Sequence, residues 1–361
     1  MAGQRVGLLQ WHAVFIIVFS KMLHMTFVFR LLLSICLFVG SSNPARAAGD
    51  PVLPQTDRVR LAEAFRLADW IGDRLWPGWS TTPFAVLLVT QEHEFLVRHP
   101  HPGSEWRAIG HDALLGSQVF TRPRVYPVDL QASFPLDELP TVVVGQAEQT
   151  SSRHSTAWVT MLLHEHFHQW QSGAPDYFAS VGRLGLAGED KTGMWMLNYP
   201  FPYENAQAVE DYARLGKAVM QALAGDGKAV ADAAAAQARL AASVGEKDFR
   251  YLDFQLWQEG VSRYTELRAA ELAASDYQPS AAFAALPDYR PYAEQAASIR
   301  KRIMGELENP DLAKRKRIAV YALGAGQALM LDRFNAAWRE RYLRHRFTMS
   351  KPVREAAGRM R

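Results

Sequence analysis

The chain of 361 residues contains one cysteine, Cys36. This residue lies in an apolar segment near the N-terminus that we expect to be removed during export. The mature protein would then have no thiol, which excludes disulfide bonds and cysteine-based nucleophilic or metal-binding chemistry. The stability of the fold must therefore come mainly from a hydrophobic core.

Long apolar runs are also missing. Apolar residues are frequent over 11–40, but lysine and arginine interrupt them, and no uninterrupted piece reaches the roughly 20 residues of a spanning helix. A basic residue, a short apolar core and a small-x-small site predict a signal peptide over 1–48, cleaved near Ala47. Translation from Met22 or Met25 would give a signal peptide of ordinary length. We therefore expect a periplasmic or secreted protein; the alternative is an uncleaved segment that anchors the chain to a membrane.

Acidic residues are absent from positions 1–48, which carry four basic residues. The rest of the chain has 36 basic and 37 acidic residues, so its net charge is about −1. A body so close to neutrality offers no overall attraction for nucleic acid or for an anionic membrane. We expect neither as a partner once the signal peptide is removed.

Internal repeats and low-complexity tracts are absent as well, and the remainder divides into two parts. Over 49–150 the hydrophobic pattern predicts one helix and then strands, at 57–75 and at 83–90, 94–99, 118–128 and 141–145. Over 151–361 it predicts helices, at 154–171 (capped by Ser155 or Thr156), 205–225, 228–243, 248–274 and 313–346. A small mixed sheet followed by helices is typical of an α+β fold whose two parts share one core.

The segment LLHEHFHQWQ, at 162–171, carries the strongest chemical signal. On a helix, His164 and His168 are four positions apart and project from one face, where both imidazoles can bind one metal ion. Glu165 is turned away by roughly 100°, which suits a general base beside the metal rather than a third ligand. His166, about 200° from His164, cannot bind the same ion, and we expect it to be a bystander.

A histidine-rich helix without a metal is the alternative interpretation of this segment. The helix is strongly apolar, however, and unpaired polar side chains are costly in such surroundings. The H-E-x-x-H pattern therefore favours a buried catalytic site, with Zn²⁺ as the expected cofactor.

A catalytic zinc ion needs a third protein ligand and an open coordination position. Three glutamates are candidates: Glu259 in LWQEGVSRYTE, and the nearer Glu204 and Glu210 in YENAQAVEDY. Glu259 could instead be an exposed helical residue paired with Arg263 at i+4. Sequence spacing leaves these alternatives open.

The two motif segments resemble the ligand helices of aminopeptidase-N-type gluzincins, which belong to the zinc peptidase superfamily of thermolysin. HEHFHQW is similar to the H-E-x-x-H-x-W start of those sites, with Trp170 at the matching position. In the second segment, the resemblance covers a metal-binding glutamate, the glycine after it, an aromatic residue and a second acid, which here are Glu259, Gly260, Tyr264 and Glu266.

The resemblance covers roughly thirty residues of the chain. It implies a zincin-like fold, a zinc ion held by His164, His168 and Glu259, and hydrolysis of peptide bonds. The spacing departs from those families, because ninety residues, 169–258, separate the last histidine from Glu259. Such an insertion is compatible with the site if it forms a helical hairpin whose ends return close together.

Two further roles follow from this interpretation. Glu266, two helical turns from Glu259, could orient a ligand histidine through a hydrogen bond. The tetrahedral intermediate needs a donor for its oxyanion, and four tyrosines are eligible: Tyr264, Tyr289, Tyr292 and Tyr321. Tyr321 begins YALGAGQALMLDRF, a helical segment whose glycines allow close packing.

The resulting hypothesis is an exported zinc metallopeptidase that acts on a peptide or protein, with Glu165 as the general base. An edge strand of the sheet would border the cleft and pair with an extended substrate. Two alternatives stay open. One is a metal-binding but non-catalytic interaction protein derived from a protease, and the other is a membrane-anchored helical scaffold.

Overall fold

A computed structural model describes residues 51–360 of the protein. The predicted signal peptide at 1–48, including Cys36, lies outside these residues. Within them, no helix combines the length and the apolar character that crossing a membrane requires.

The N-terminal third of the described chain forms helix α1 (Gln55–Ile71) and a six-stranded mixed sheet. The strands are β1 (Val86–Val89), β2 (His93–Val97), β3 (Arg107–Asp112), β4 (Ser117–Pro123), β5 (Gln131–Leu136) and β6 (Leu139–Gly145). Their order is β3-β4-β2-β1-β6-β5, and every neighbouring pair is antiparallel except β1 and β6. The sequence pattern predicts the inner strands but not β3 and β5. These two are edge strands. The side chains of β3 are mostly exposed and those of β5 mostly partly buried, so a strong apolar alternation is missing.

The two faces of the sheet follow the alternation of side chains along each strand. On one face, residues such as Val86, Leu88 and Val144 join the main core, which also contains buried side chains of the helices. On the other face, Leu87 and Val143 belong to a smaller cluster covered by loops. The sheet therefore presents one face to the helices.

The remaining two thirds of the described chain are helical, and the fold is α+β as predicted. The helices are α2 (Ser155–Ser172), α3 (Tyr177–Gly182), α4 (Trp195–Asn198), α5 (Ala206–Leu223), α6 (Lys228–Val244), α7 (Glu246–Gln255), α8 (Val261–Asp276), α9 (Ala281–Ala284), α10 (Tyr292–Glu308), α11 (Leu312–Arg315), α12 (Ala319–Phe334) and α13 (Ser350–Arg359). Helix α2 packs against α1, β5, β6 and α8. Helices α5 and α6 pack against each other as a hairpin within the segment between the two motif segments.

Two long helices predicted from the sequence are interrupted. The helix expected at 248–274 contains a π-helical turn, Leu256–Gly260, between α7 and α8. The helix expected at 313–346 breaks at Lys316, which has a positive φ of 50°, and ends as an α-helix at Phe334. Hydrophobic periodicity alone does not reveal a local change in helical winding or a single left-handed residue.

The start of α2 is fixed by residues distant in sequence rather than by its own cap. His154 occupies the cap position, so the prediction that Ser155 or Thr156 caps the helix is wrong. Instead, Asp288 accepts hydrogen bonds from the Ser155 N–H at 2.9 Å and from the Ser155 hydroxyl at 2.7 Å. Arg60, whose side chain is buried, contacts Asp288 at 3.1 Å and donates to the Ser155 hydroxyl at 2.8 Å. This partly buried network holds the first turn of α2 in place.

Helix α12 meets the π-helical turn at a contact between two glycines. A Cβ atom on Gly324 would lie 2.6 Å from the Cα of Gly260 and 2.7 Å from the carbonyl oxygen of Leu256. Backbone atoms cannot be displaced as a flexible side chain can, so only glycine allows this separation of the helices. The close packing expected for the YALGAGQ segment is therefore present.

We predict that Gly324→Ala lowers the free energy of unfolding by about 1–3 kcal/mol, because the added methyl group forces the two backbones apart. Chemical denaturation monitored by circular dichroism measures the change. Gly305→Ala in α10 is the matched control, because its Cβ would have no neighbour within 4 Å. That variant should be unchanged or stabilised by about 0.5–1 kcal/mol, since glycine is a poor helix former. Equal stability of Gly324→Ala and the unsubstituted protein would contradict the packing argument.

Candidate functional site

The motif helix α2 is buried on nearly all sides. Among its 18 residues only Ala157, His168 and Ser172 are even partly accessible. A helix buried in this way can carry polar side chains only where each finds a partner. The partners of its histidines and glutamate therefore define the site.

His164 and His168 converge on Glu259. The Nε2 atom of His164 lies 3.8 Å from Glu259 Oε2, and the Nε2 atom of His168 lies 3.5 Å from the same oxygen. Ligand atoms of the three residues all lie within 4.8 Å of one another, an arrangement that can hold a metal ion. Two bonds of about 2.0–2.1 Å that meet at a tetrahedral angle separate their ligand atoms by roughly 3.4 Å. The observed separations fit this requirement with small adjustments.

Glu259 owes its position to the π-helical turn. The turn widens the helix between α7 and α8, and single π turns of this kind occur frequently at functional sites. The other two candidates from the sequence lie elsewhere. Glu204 and Glu210 are exposed, and Glu210 pairs with Arg214 on the surface of α5. Glu259 is thus the glutamate that the structure brings to the two histidines.

Cationic groups surround the Glu259 carboxylate. Arg317 lies 3.5 Å from its second oxygen, and the two histidines face the first. Burial by itself would raise the pKa of Glu259, but His168, His164 and Arg317 outweigh it and hold that pKa well below its usual range. Glu259 is therefore ionised, as a metal ligand must be.

His164 lies between two carboxylates. Its Nδ1 atom is 3.7 Å from Glu266 Oε2 and has no closer hydrogen-bond partner among residues 51–360. Burial disfavours the protonated ring, yet Glu259 and Glu266 outweigh burial and raise the pKa of His164 to about 9. A buried imidazole whose surroundings favour a cation this strongly fits a place for a divalent metal at Nε2, with Glu266 on the Nδ1 side of the ring. Glu266 is itself held by Arg263 at 2.6 Å.

Glu165 faces an open cleft rather than a partner. The side chain is buried, and it makes no hydrogen bond or ion pair with the residues that the structure describes. Burial raises the pKa of its carboxyl group, although the neighbouring His168 and His164 act in the opposite direction. A raised pKa in an unpaired carboxylate is the property that a general base requires at neutral pH.

His166 is occupied away from this centre, as expected for a bystander. Its ring stacks on Phe84 at 3.9 Å between centroids, and its Nδ1 atom contacts Gln169 Oε1 at 2.8 Å. Gln169 in turn donates from Nε2 to the carbonyl oxygens of Ala85 and Pro140, at 2.9 and 2.7 Å. Burial lowers the pKa of His166 to about 4, so this ring is neutral.

Gln171 contacts His168 on the metal-binding face as Gln169 contacts His166 on the other side of the helix. Gln171 is a site residue that the sequence does not predict. Its Oε1 atom lies 2.7 Å from His168 Nδ1. Its Nε2 atom lies within hydrogen-bond distance of the carbonyl oxygens of Trp257 and Gln258, at 3.4 and 3.3 Å, and of the Tyr342 hydroxyl at 2.6 Å. The histidine-to-glutamine spacing of three residues was the available signal, since such pairs are neighbours on a helix.

The contacts of Gln171 determine which nitrogen of His168 carries the proton. A carbonyl oxygen only accepts, so the Gln171 amide nitrogen must face Trp257 and Gln258. The Gln171 oxygen then faces His168 and requires Nδ1 to be the protonated nitrogen. Nε2, which faces Glu259, is then the nitrogen available to a metal ion. One side chain therefore orients a ligand histidine and also holds the π-helical turn that carries the third ligand.

One of the four tyrosines considered lines the cleft. Tyr321 stacks parallel to His164, with 6.1 Å between ring centroids, and its hydroxyl lies 3.3 Å from Arg317. Burial raises the pKa of Tyr321, so its hydroxyl keeps its proton and can donate. Tyr264 donates to Asp332 at 2.6 Å inside the core, and Tyr289 and Tyr292 are also outside the cleft lining. Tyr264 therefore takes no part in the mechanism proposed below.

The cleft has a volume of about 790 Å³ and lies beside α2, α8 and α10. Its lining includes the start of the edge strand β5, through Gln131. The ionisable residues along its wall are His154, His164, Glu165, Glu266, Glu294, Glu306, Tyr321, Arg153, Arg263, Arg290, Arg302 and Arg317.

Comparisons of the chain with protein-family models, with curated proteins and with solved structures find no match.

We predict that the protein binds one equivalent of Zn²⁺ with proton release. Metal binding requires a neutral His164, whose pKa is about 9 without metal. The apparent affinity should therefore fall as the pH decreases below 9, with about one proton released from this residue near pH 7. Calorimetry in buffers of different ionisation enthalpy measures this number. Absence of zinc binding, with stability unchanged by a chelator, would contradict the site and favour the scaffold alternative.

We predict that Gln171→Leu weakens zinc affinity by about 10–100-fold, because His168 loses the partner that fixes its orientation. Competition against a chromogenic chelator measures the affinity. The matched control is Gln169→Leu, which removes the same kind of histidine partner from the other side of the helix.

The control should lower stability by about 1–3 kcal/mol, because two buried carbonyl groups lose their donor, but should leave zinc affinity unchanged. Equal weakening of zinc binding by both substitutions would show that general loosening of α2, and not the His168 contact, is responsible.

Proposed function

We propose that the protein is an exported zinc-dependent hydrolase that cleaves peptide bonds, with a zincin-like fold of the gluzincin type. The observation that carries the proposal is the convergence of His164, His168 and Glu259 beside the unpaired Glu165 at the wall of a cleft. Two histidines and a glutamate are a donor set that catalytic zinc sites use.

The zinc ion would be held by His164 and His168 through Nε2 and by the Glu259 carboxylate. When bound, it would act as a Lewis acid that polarises the scissile carbonyl group and makes a nearby water more acidic. Among residues 51–360 the cluster of possible ligands consists of these three residues, so a zinc ion held there would keep a position for water or substrate. A free position favours catalysis over a closed structural site.

Glu165 would act as the general base. Its carboxylate would remove one proton from the attacking water as the oxygen bonds to the carbonyl carbon. The same proton would pass to the leaving nitrogen as the carbon–nitrogen bond breaks, which returns Glu165 to its ionised form. The absence of any competing hydrogen bond to Glu165 within the described chain supports this role.

Tyr321 would stabilise the oxyanion of the tetrahedral intermediate by donating its hydroxyl proton in a hydrogen bond. Its ring lies parallel to His164, and Arg317 beside it adds positive charge to this part of the cleft. Arg317 lies just before α12, and Tyr321 lies in its first turn. The contact between Gly260 and Gly324 holds this helix close to Glu259.

The edge strand β5 offers a place for an extended substrate. Among the described strands it pairs with β6 alone, and it packs against α2 and reaches the cleft at Gln131. A substrate backbone can add to such an edge through main-chain hydrogen bonds. The proposal of export rests on the signal-like sequence at 1–48.

We predict that Glu165→Gln retains zinc but lowers turnover of a peptide substrate by about 10²–10⁴-fold, because the amide cannot accept the proton from water. Turnover is measured with a quenched fluorescent peptide library, and zinc content by mass spectrometry of the same samples. Glu259→Gln should instead lose zinc, whereas Glu210→Gln, which changes an exposed glutamate, should alter neither property.

Undiminished turnover in Glu165→Gln would contradict the mechanism. Zinc binding without peptide cleavage in the unsubstituted protein would favour the non-catalytic alternative.

A further inference from the structure

The cleft contains more free positive charge than negative charge. Two of its five arginines are engaged at the proposed catalytic centre: Arg263 binds Glu266, and Arg317 contacts Glu259. The other three, Arg153, Arg290 and Arg302, make no ion pair within 4.0 Å among residues 51–360, and all three are exposed.

The acidic residues of the lining do not balance these arginines. Glu266 is paired with Arg263, and Glu306 is paired with Arg315 at 2.7 Å. Apart from Glu165, which the proposed reaction uses, this leaves Glu294 as the lining carboxylate without an ion pair in the described part of the chain. The chain beyond position 48 has 36 basic and 37 acidic residues, so the excess of free cations is a local property of the cleft.

The backbones of Arg153 and Arg290 both lie at one end of the cleft, next to the first turn of α2. Arg153 is two residues before Ser155, the first residue of the helix. The backbone of Arg290 exchanges two hydrogen bonds with the hydroxyl of Thr156, at 2.6 and 3.1 Å. The edge strand reaches the same end, because Gln131 is hydrogen bonded to Ser151 at 3.0 Å.

The length of α2 sets the distance from this end to the metal ligands. His164 is nine positions after Ser155, and a rise of about 1.5 Å per residue places them roughly 13 Å apart. An extended peptide covers about 3.3–3.5 Å per residue, so this distance corresponds to about four substrate residues.

We propose that the substrates of this hydrolase are acidic peptides, in which a carboxylate about four residues from the scissile bond binds Arg153 and Arg290. The inference rests on the proposed function and adds the substrate class to it. Guanidinium groups bind carboxylates through paired hydrogen bonds, and free cations in a cleft also attract anionic ligands before contact. Both arginines are accessible and unpaired, so no existing ion pair has to break when the substrate binds.

The test uses three sets of dodecapeptides with otherwise uncharged side chains, in which a single glutamate, glutamine or lysine is moved along the sequence. Mass spectrometry locates the cleaved bond in each peptide, and kcat/KM is measured as a function of the position of the substitution. When the substituted residue is about four residues from the scissile bond, we expect kcat/KM to be about fivefold higher for the glutamate set than for the glutamine set, mainly through a lower KM. The lysine set should have the lowest kcat/KM. The preference should decrease as the salt concentration rises.

The double variant Arg153→Gln/Arg290→Gln should lose the preference for glutamate over glutamine. The double variant Arg344→Gln/Arg354→Gln makes the same change in charge at exposed arginines outside the cleft and should retain it. Equal cleavage of the glutamate and glutamine sets, or a preference that survives in Arg153→Gln/Arg290→Gln, would overturn the proposal.

A binding measurement separates failure of this inference from failure of the proposed function. Fluorescence anisotropy with labelled peptides and the Glu165→Gln protein needs no turnover. If no peptide is cleaved by the unsubstituted protein, the hydrolase proposal fails. Tighter binding of the glutamate set that depends on Arg153 and Arg290 would still support the acidic-peptide site, whereas equal binding of all sets would refute it.

Discussion

The carboxylate of Glu259 is the group on which the rest of the centre depends. A buried carboxylate cannot remain ionised unless positive charge compensates for the lost hydration. His164, His168 and Arg317 provide that charge, each within 4 Å of a Glu259 oxygen. Three separate parts of the chain must therefore meet at one point. Removing one partner would leave the others with an uncompensated charge, which makes the centre cooperative.

The rotation of α2 about its own axis follows from a second constraint, the need to satisfy buried polar side chains. Gln169 links one side of the helix to backbone carbonyl groups of the sheet, and Gln171 links the other side to the π-helical turn. With both glutamines engaged, the helix cannot turn without breaking buried hydrogen bonds. Glu165, which has no such partner, is thereby directed to the cleft. The same network that stabilises the fold thus leaves one reactive group free.

The parts of this structure that follow from local periodicity could be predicted from sequence, and the parts that follow from distant contacts could not. The spacing of His164 and His168 identifies one helical face, and the inner strands show their apolar runs. The cap of α2, in contrast, comes from Asp288, 133 residues away from Ser155. The π-helical turn and the core position of Tyr264 likewise depend on packing between segments. No local pattern encodes such contacts, which explains why the third ligand had three candidates.

The ninety residues between His168 and Glu259 do not oppose the site, because the two ligand elements are held together by direct contact. Gln171 bridges them, and the Tyr342 hydroxyl donates to Trp257 O at 2.5 Å on the same turn. The entropy lost on closing a loop grows only slowly with its length, so a long insertion adds a small cost. Much of the insertion is also folded, as the hairpin of α5 and α6 and the short helix α7 that leads directly into the π-helical turn. The geometry of the centre therefore depends on a few buried contacts and not on the length of chain that connects its ligands.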